Sequence, residues 1–249
     1  MSNLNDVLKT FEPKNELNPK IWSEDGNKMN PKVRERLLEI AEQFISTFGI
    51  DVVITDIVVV GSIANYNWSK YSDIDLHILI DFNQFSDKLK DLYVEFFDLK
   101  KIVFNNKRNI KFYGFDVECY VEDIDVKGVS GGIYSVLYDE WITKPEKQNI
   151  KEPNYNTIKK KSEQWMRIID GVLENIENES PQDILNIIKK YKNKLKRFRL
   201  SGLQKGGEMS IENLVFKVLR RNGYIEKLYS YPIDLIDKKL SLEQKIRIK

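Results

Sequence analysis

Two aspartates separated by one residue, Asp73 and Asp75, open the apolar run Ile74, Leu76, Ile78, Leu79, Ile80. Alternate side chains of a strand share a face, so these two carboxylates stand on the same side, about 6–7 Å apart. Paired carboxylate oxygens suit a hard cation such as magnesium, which takes few protein ligands and leaves positions for phosphate oxygens. Upstream, the β-branched run Val58-Val59-Val60 ends at Gly61-Ser62, where a tight turn can present backbone N–H groups to an anion. Residue types in this order suit phosphoryl or nucleotidyl transfer, in which the protein positions metal ions that neutralise charge on phosphate oxygens. A third carboxylate from another strand is needed to fix the metal nearest the attacking hydroxyl. Asp116 and Glu118, both on the polar side of the segment 112–121, are the candidates.

The surrounding pattern supplies elements to position these groups. Strands are expected at 52–60 and 74–81, with a short helix at 63–68 whose N-terminus lies at Ser62. Asn30-Pro31 reads as an N-cap followed by proline at the first helical position. Val33, Leu37, Ile40, Ala41, Phe44 and Phe48 recur at helical spacing until Gly49 stops the helix. A second helix is expected at 86–104, with Leu89, Leu92, Phe96 and Leu99 on its apolar face. The third strand, 112–121, alternates Phe115, Val117, Cys119 and Val121 with Asp116, Glu118 and Tyr120. Ser130-Gly131-Gly132 reads as a turn, and 133–137 as a further strand.

Residues 1–30 read as an N-terminal arm pinned by Phe11, Ile21 and Trp22, residues 31–145 as the sheet domain, and 155–249 as a helical domain beyond a polar boundary at 145–156. The helical part begins with a seam of Trp165, Ile168, Ile169, Val172 and Ile176. Ser180 then caps a helix with Ile184, Ile187, Ile188, Tyr191, Leu195 and Phe198 inward. Gly202, Gly206 and Gly207 are expected to form a loop before Ser210 caps a helix running to about 222. Tyr231-Pro232 precedes a short helix at 233–240.

With its residues in place, the chain resembles the polymerase β-like nucleotidyltransferase superfamily. Gly61-Ser62-Ile63-Ala64-Asn65-Tyr66-Asn67-Trp68 with Ser72-Asp73-Ile74-Asp75-Leu76-His77 is similar to small phage and prokaryotic members of it. The resemblance implies an α+β fold, a mixed sheet flanked by helices and followed by an all-helical C-terminal domain. It implies transfer of a nucleoside monophosphate from an NTP, ATP among the candidates, to a hydroxyl of RNA, tRNA, protein or a small molecule, with release of pyrophosphate. Gly61 and Ser62 would hold the β- and γ-phosphates, and Asp73 and Asp75 would bridge two Mg2+ ions, with Mn2+ as a substitute. Glu118 is favoured over Asp116 as the third ligand because it lies deeper in its strand, between Val117 and Cys119. Glutamate there also resembles the related alarmone synthetases, so a pyrophosphokinase and a catalytically silent nucleotide- or RNA-binding module stay open as alternatives. A helical domain in such enzymes commonly closes over the nucleotide, which makes Lys217 and Arg221 candidates for the triphosphate.

Other residues carry structural expectations. Ser72 steadies the turn that delivers Asp73 and is grouped with Gly61 and Ser62 on the nucleotide-binding side. Tyr66 and Trp68 anchor the 62–72 loop, with stacking on a base as the alternative; His77 is a hydrogen-bonded structural side chain, with contact to a phosphate or the acceptor as its alternative; Cys119 faces the apolar side. The helix over 189–199 bears Lys189, Lys192, Lys196 and Arg199 on one stripe, either a solvated face or a groove for an RNA or tRNA acceptor. Net charge is only +2, so any affinity for nucleic acid must be local. One cysteine and one histidine exclude an intramolecular disulfide, cysteine-rich zinc modules and a two-histidine relay. No apolar run approaches a membrane span and the N-terminus lacks a signal-peptide pattern, so a cytoplasmic location is expected.

Overall fold

Buried and half-exposed residues alternate strictly along Ile74–Ile80, the strand at the centre of a mixed sheet. The computed structural model describes residues 4–125, 131–147 and 153–247. Ser130 of the expected turn and 148–152 of the expected boundary lie outside the described residues. The strands are β1 (Ile54–Val60), β2 (Ile74–Ile80), β3 (Lys111–Phe112), β4 (Phe115–Asp123), β5 (Ile133–Ser135) and β6 (Glu140–Thr143). Their spatial order is β3-β4-β2-β1-β5-β6. The β2–β4 pair is parallel and the other pairings are antiparallel. The β2–β4 connection contains the helix α3 (Lys90–Lys107), as a parallel pair requires a crossover.

Two units emerge, one formed by Glu12–Ile150 and the other by Met1–Phe11 with Lys151–Lys249. In the sheet unit, α2 (Pro31–Ile45) starts where the Asn30 side chain accepts from the Lys32 amide, and it buries Val33, Leu37, Ile40, Ala41 and Phe44. These pack with the inward residues of β2 and β4, so the core lies on the face opposite the acidic side chains.

Two expectations for this unit need correction, and one strand is additional to them. The apolar face of α3 is not the leucine stripe: Leu92 and Leu99 are 60% and 62% exposed, whereas Phe97 and Phe104 are buried. Apolar residues occur all round this helix, and the larger aromatic rings win the core, with Phe97 5.1 Å from Phe48 and Phe104 5.0 Å from Phe44. The segment 112–121 is not one strand but a hairpin, because Tyr113 and Gly114 both take positive φ and form a two-residue turn. Finally, β6 was not anticipated; its residues are mostly exposed and carry little apolar alternation.

The helical unit comprises α1 (Leu4–Lys9), α4 (Tyr155–Asn175), α5 (Pro181–Gly206), α6 (Ile211–Arg221) and α7 (Tyr224–Arg247). Val7, Leu8 and Phe11 share its core with Trp165, Ile169, Ile184, Leu195, Leu214 and Val218. Ser180 and Ser210 cap α5 and α6 as their side chains accept from Asp183 and Asn213 amides. Gly202 is helical rather than a loop residue. A Cβ there would lie 2.5 Å from the Glu212 Cβ, so the glycine is what lets the start of α6 approach α5. Pro232 likewise lies inside α7, where its missing N–H removes one helical hydrogen bond without ending the helix. Among the described residues, no helix is long and apolar enough to cross a membrane.

Candidate active site

The parallel register of β2 and β4 pairs Asp75 with Glu118, His77 with Tyr120, and Leu79 with Glu122. In-register residues of a parallel pair share a face, with backbones about 4.8 Å apart. A row of polar side chains therefore runs along both strands on the side away from the core. Tyr120 donates its hydroxyl to the Glu118 carboxylate. His77 Nδ1 lies 2.6 Å from Glu122 Oε2, and its ring sits 4.8 Å from that of Tyr120. Burial pushes the Tyr120 phenol well above its ordinary value, and the hydrogen bond and charge of Glu118, then Asp75 and Asp73, push it further. The fields of all three acids thus meet at one hydroxyl. Asp116 stands apart in its contacts: it is ion-paired to Lys111 at 2.9 Å across the β3–β4 hairpin.

The turn after β1 is built around Gly61. Val60 is the register partner of Asp75, and Gly61 follows with φ +77°, a conformation that glycine adopts without steric cost. A Cβ at Gly61 would collide with Asp75 Oδ2, so the carboxylate lies directly against this backbone. Only a single 3-10 turn, Ser62–Ala64, forms where a short helix over 63–68 was expected. The loop then closes on itself: Ser62 Oγ is 2.8 Å from Ser72 Oγ, which also accepts from the Ser69 amide at 2.9 Å. Ser72 is buried and immediately precedes Asp73.

Segments from the N-terminal thirty residues brace this loop. The Trp22 indole donates to the Ile63 carbonyl, and the Trp68 indole to the Glu16 carbonyl, both at 2.9 Å. The Tyr66 carbonyl accepts from the Lys14 amide at 2.6 Å. Gly132 backs the turn from the other side, with no room for a Cβ against the Ala64 carbonyl. Cys119 faces the core, where burial pushes its thiol up to about 12.

Among the described residues, no group of three or more His, Cys, Asp or Glu side chains is placed to hold a metal ion. Asp73, Asp75 and Glu118 carry carboxylate oxygens, the donor type that magnesium and manganese take, and such an ion bound with a nucleotide draws its other ligands from phosphate and water.

Lys217 and Arg221 belong to the helical unit. Arg221 hydrogen-bonds Thr10 and its guanidinium lies 4.3 Å from the Phe11 ring centre. Burial, with Arg221, Arg220 and Arg199 nearby, lowers the Lys217 pKa against an opposing pull from Glu208. What the sequence did not single out is Glu122 and the Tyr120–Glu118 hydrogen bond. The signal available was continued alternation beyond Glu118, which puts Tyr120 and Glu122 on the same side.

Comparison with known families matches residues 35–201 to the family described as Nucleotidyltransferase domain. The match covers the sheet, the Gly-Ser turn and the start of the helical unit, and the chain belongs to that family. No curated protein and no solved structure matches it. Nucleoside monophosphate transfer is accordingly the general chemistry of the fold, with an NTP as substrate.

Proposed function

We propose that the chain is a divalent-metal-dependent nucleotidyltransferase whose site is built from Gly61, Ser62, Ser72, Asp73, Asp75 and Glu118. The observation that carries this reading is the register pairing of Asp75 with Glu118 beside the Gly61 backbone. Asp73, Asp75 and Glu118 would hold Mg2+ or Mn2+, which when bound neutralises charge on the triphosphate. Gly61 and the turn it opens offer backbone N–H groups to the β- and γ-phosphates. Ser72 fixes the loop so that Asp73 and Ser62 face the same nucleotide. Glu118, on the outer strand of the pair, is assigned to the side from which the acceptor hydroxyl attacks. The hydroxyl oxygen bonds to the α-phosphorus as its proton passes to solvent, the bond from that phosphorus to the bridging oxygen breaks, and pyrophosphate leaves.

The test uses the full chain with α- and γ-labelled NTPs and acceptors drawn from RNA, protein and small molecules. The expected result is α-label in the acceptor and γ-label in free pyrophosphate. Asp73→Asn and Asp75→Asn should each reduce transfer by more than about a hundredfold with unchanged thermal unfolding. Undiminished turnover in either variant overturns the assignment, and γ-label in the acceptor replaces it with pyrophosphate transfer.

A further inference from the structure

A groove of about 690 Å³ lies within the helical unit, between α5, α6 and α7. Its floor is aliphatic, its rim carries Lys189, Lys192, Lys196 and Arg199, and Phe216 and Tyr229 line it with rings. No carboxylate lines it, and among the described residues none of these four cations is ion-paired to an acid. The helix α5 holds eight Lys and Arg against the single acid Asp183, in a chain whose net charge is only +2. The rest of the chain is therefore net acidic, and positive charge is concentrated on this helix.

Two of the cations are held in place over rings. Lys192 Nζ lies 3.8 Å from the Tyr229 ring centre, and burial lowers its pKa. The Arg199 guanidinium lies 4.6 Å from the Phe216 ring centre, while its Nε donates to the buried Asn213 side chain at 3.1 Å. Burial disfavours the charge on Lys192 and Arg199, Glu208 offsets this only at Arg199, and no acid lines the groove, so an anionic ligand would relieve the cost. The four recur at i, i+3, i+7 and i+10, a stripe about 15 Å long at 1.5 Å per residue. A stripe of that length outruns one phosphate group and follows a backbone carrying several. Rings beside cations are what bases stack on in single strands, whereas the bases of a duplex are already stacked on one another.

We propose that this groove binds single-stranded nucleic acid. That the bound strand is the acceptor rests on the nucleotidyl-transfer reading; the binding itself does not. The test is fluorescence polarisation of a short oligouridylate and a short oligothymidylate on full-length Asp75→Asn protein in EDTA. Inorganic polyphosphate and a hairpin duplex serve as competitors. Either oligonucleotide should bind, displaced poorly by both competitors. The double variant Lys192→Gln, Lys196→Gln should weaken binding about tenfold and flatten its salt dependence. Tyr229→Leu should weaken it about tenfold with the salt dependence kept. Lys194→Gln with Arg197→Gln, on another side of the same helix, should leave it within about twofold. Absent binding, equal displacement by polyphosphate or duplex, or equal loss in the Lys194/Arg197 variant overturns the proposal. Binding without transfer in the unsubstituted chain would instead overturn the transfer reading alone.

Discussion

Asp75 on β2 and Glu118 on β4 are direct Cα partners across the parallel strand pair, so two acids far apart in the chain are set side by side by the sheet. Asp116, two residues before Glu118, is instead ion-paired to Lys111 at the hairpin. The two carboxylates of β4 therefore separate cleanly by experiment. Glu118→Gln is expected to lower kcat by more than about a hundredfold, the scale of losing one positioned charge at a reacting phosphate. Asp116→Asn removes only an exposed ion pair and should leave kcat within about threefold and stability within about 1 kcal/mol. Steady-state transfer and urea unfolding of both variants check this. A severe loss in Asp116→Asn with a mild one in Glu118→Gln would reverse the assignment of the third carboxylate.

Gly61 is irreplaceable for two independent reasons, its φ of +77° and the Asp75 carboxylate occupying the space of a Cβ. Gly61→Ala should destabilise the fold by at least about 1–2 kcal/mol from the left-handed backbone alone. It should also displace Asp75, so the loss of transfer should exceed what the fraction unfolded explains. Urea denaturation paired with kcat under conditions where the variant is fully folded separates the two effects. Full activity in the folded variant would show that the Gly61–Asp75 contact does not matter to the reaction.

How much of this was legible in the sequence follows from which signals are local. Asp75 could be placed on the side away from the core because β2 alternates without interruption and each inward residue is apolar, while Asp73 lies just before that strand. The caps at Asn30, Ser180 and Ser210 could be read because a capping side chain bonds an amide two or three residues away. The Asp75–Glu118 register could not, since it depends on which strands pair after the α3 crossover. The buried face of α3 was misread because leucines and aromatic rings offer two competing stripes, and only packing against Phe44 and Phe48 selects the rings. Gly202 looked like a loop residue because the reason for it, the close approach of Glu212 and Ser210, lies in another helix.

The Cys119 thiol points into the core and burial pushes its pKa up to about 12. Thiolate is the reactive form, so at about pH 8 only about one thiol in ten thousand is ionised in the native protein. Labelling by a thiol reagent is expected to be at least about a hundredfold slower in buffer than in concentrated urea, where the thiol regains its ordinary value. Timed mass spectrometry under both conditions measures this. Rapid native labelling would mean that Cys119 is exposed, against the packing of β4.

Asp56 gives the sheet unit a pH dependence of defined sign. Its carboxylate is buried on β1, where Oδ1 accepts from Ser135 Oγ and from the Ile57 amide, both at 2.7 Å. Burial raises its pKa above the ordinary value near 3.8 despite these hydrogen bonds, and the charge of Glu140 adds to the rise. The folded protein therefore keeps the Asp56 proton at a pH where the unfolded chain has released it. Stability from this group is full below the ordinary carboxylate pKa and falls as pH rises through the folded value, with a limiting slope of about 1.4 kcal/mol per pH unit. Asp56→Asn keeps an oxygen acceptor for Ser135 and Ile57 but does not ionise. The unfolding free energy of the unsubstituted chain minus that of Asp56→Asn should thus be flat below about pH 4 and decline as the pH is raised above it. Urea denaturation at a series of pH values measures the difference. A difference that rises with pH would mean that the hydrogen bonds to the charged form outweigh its desolvation.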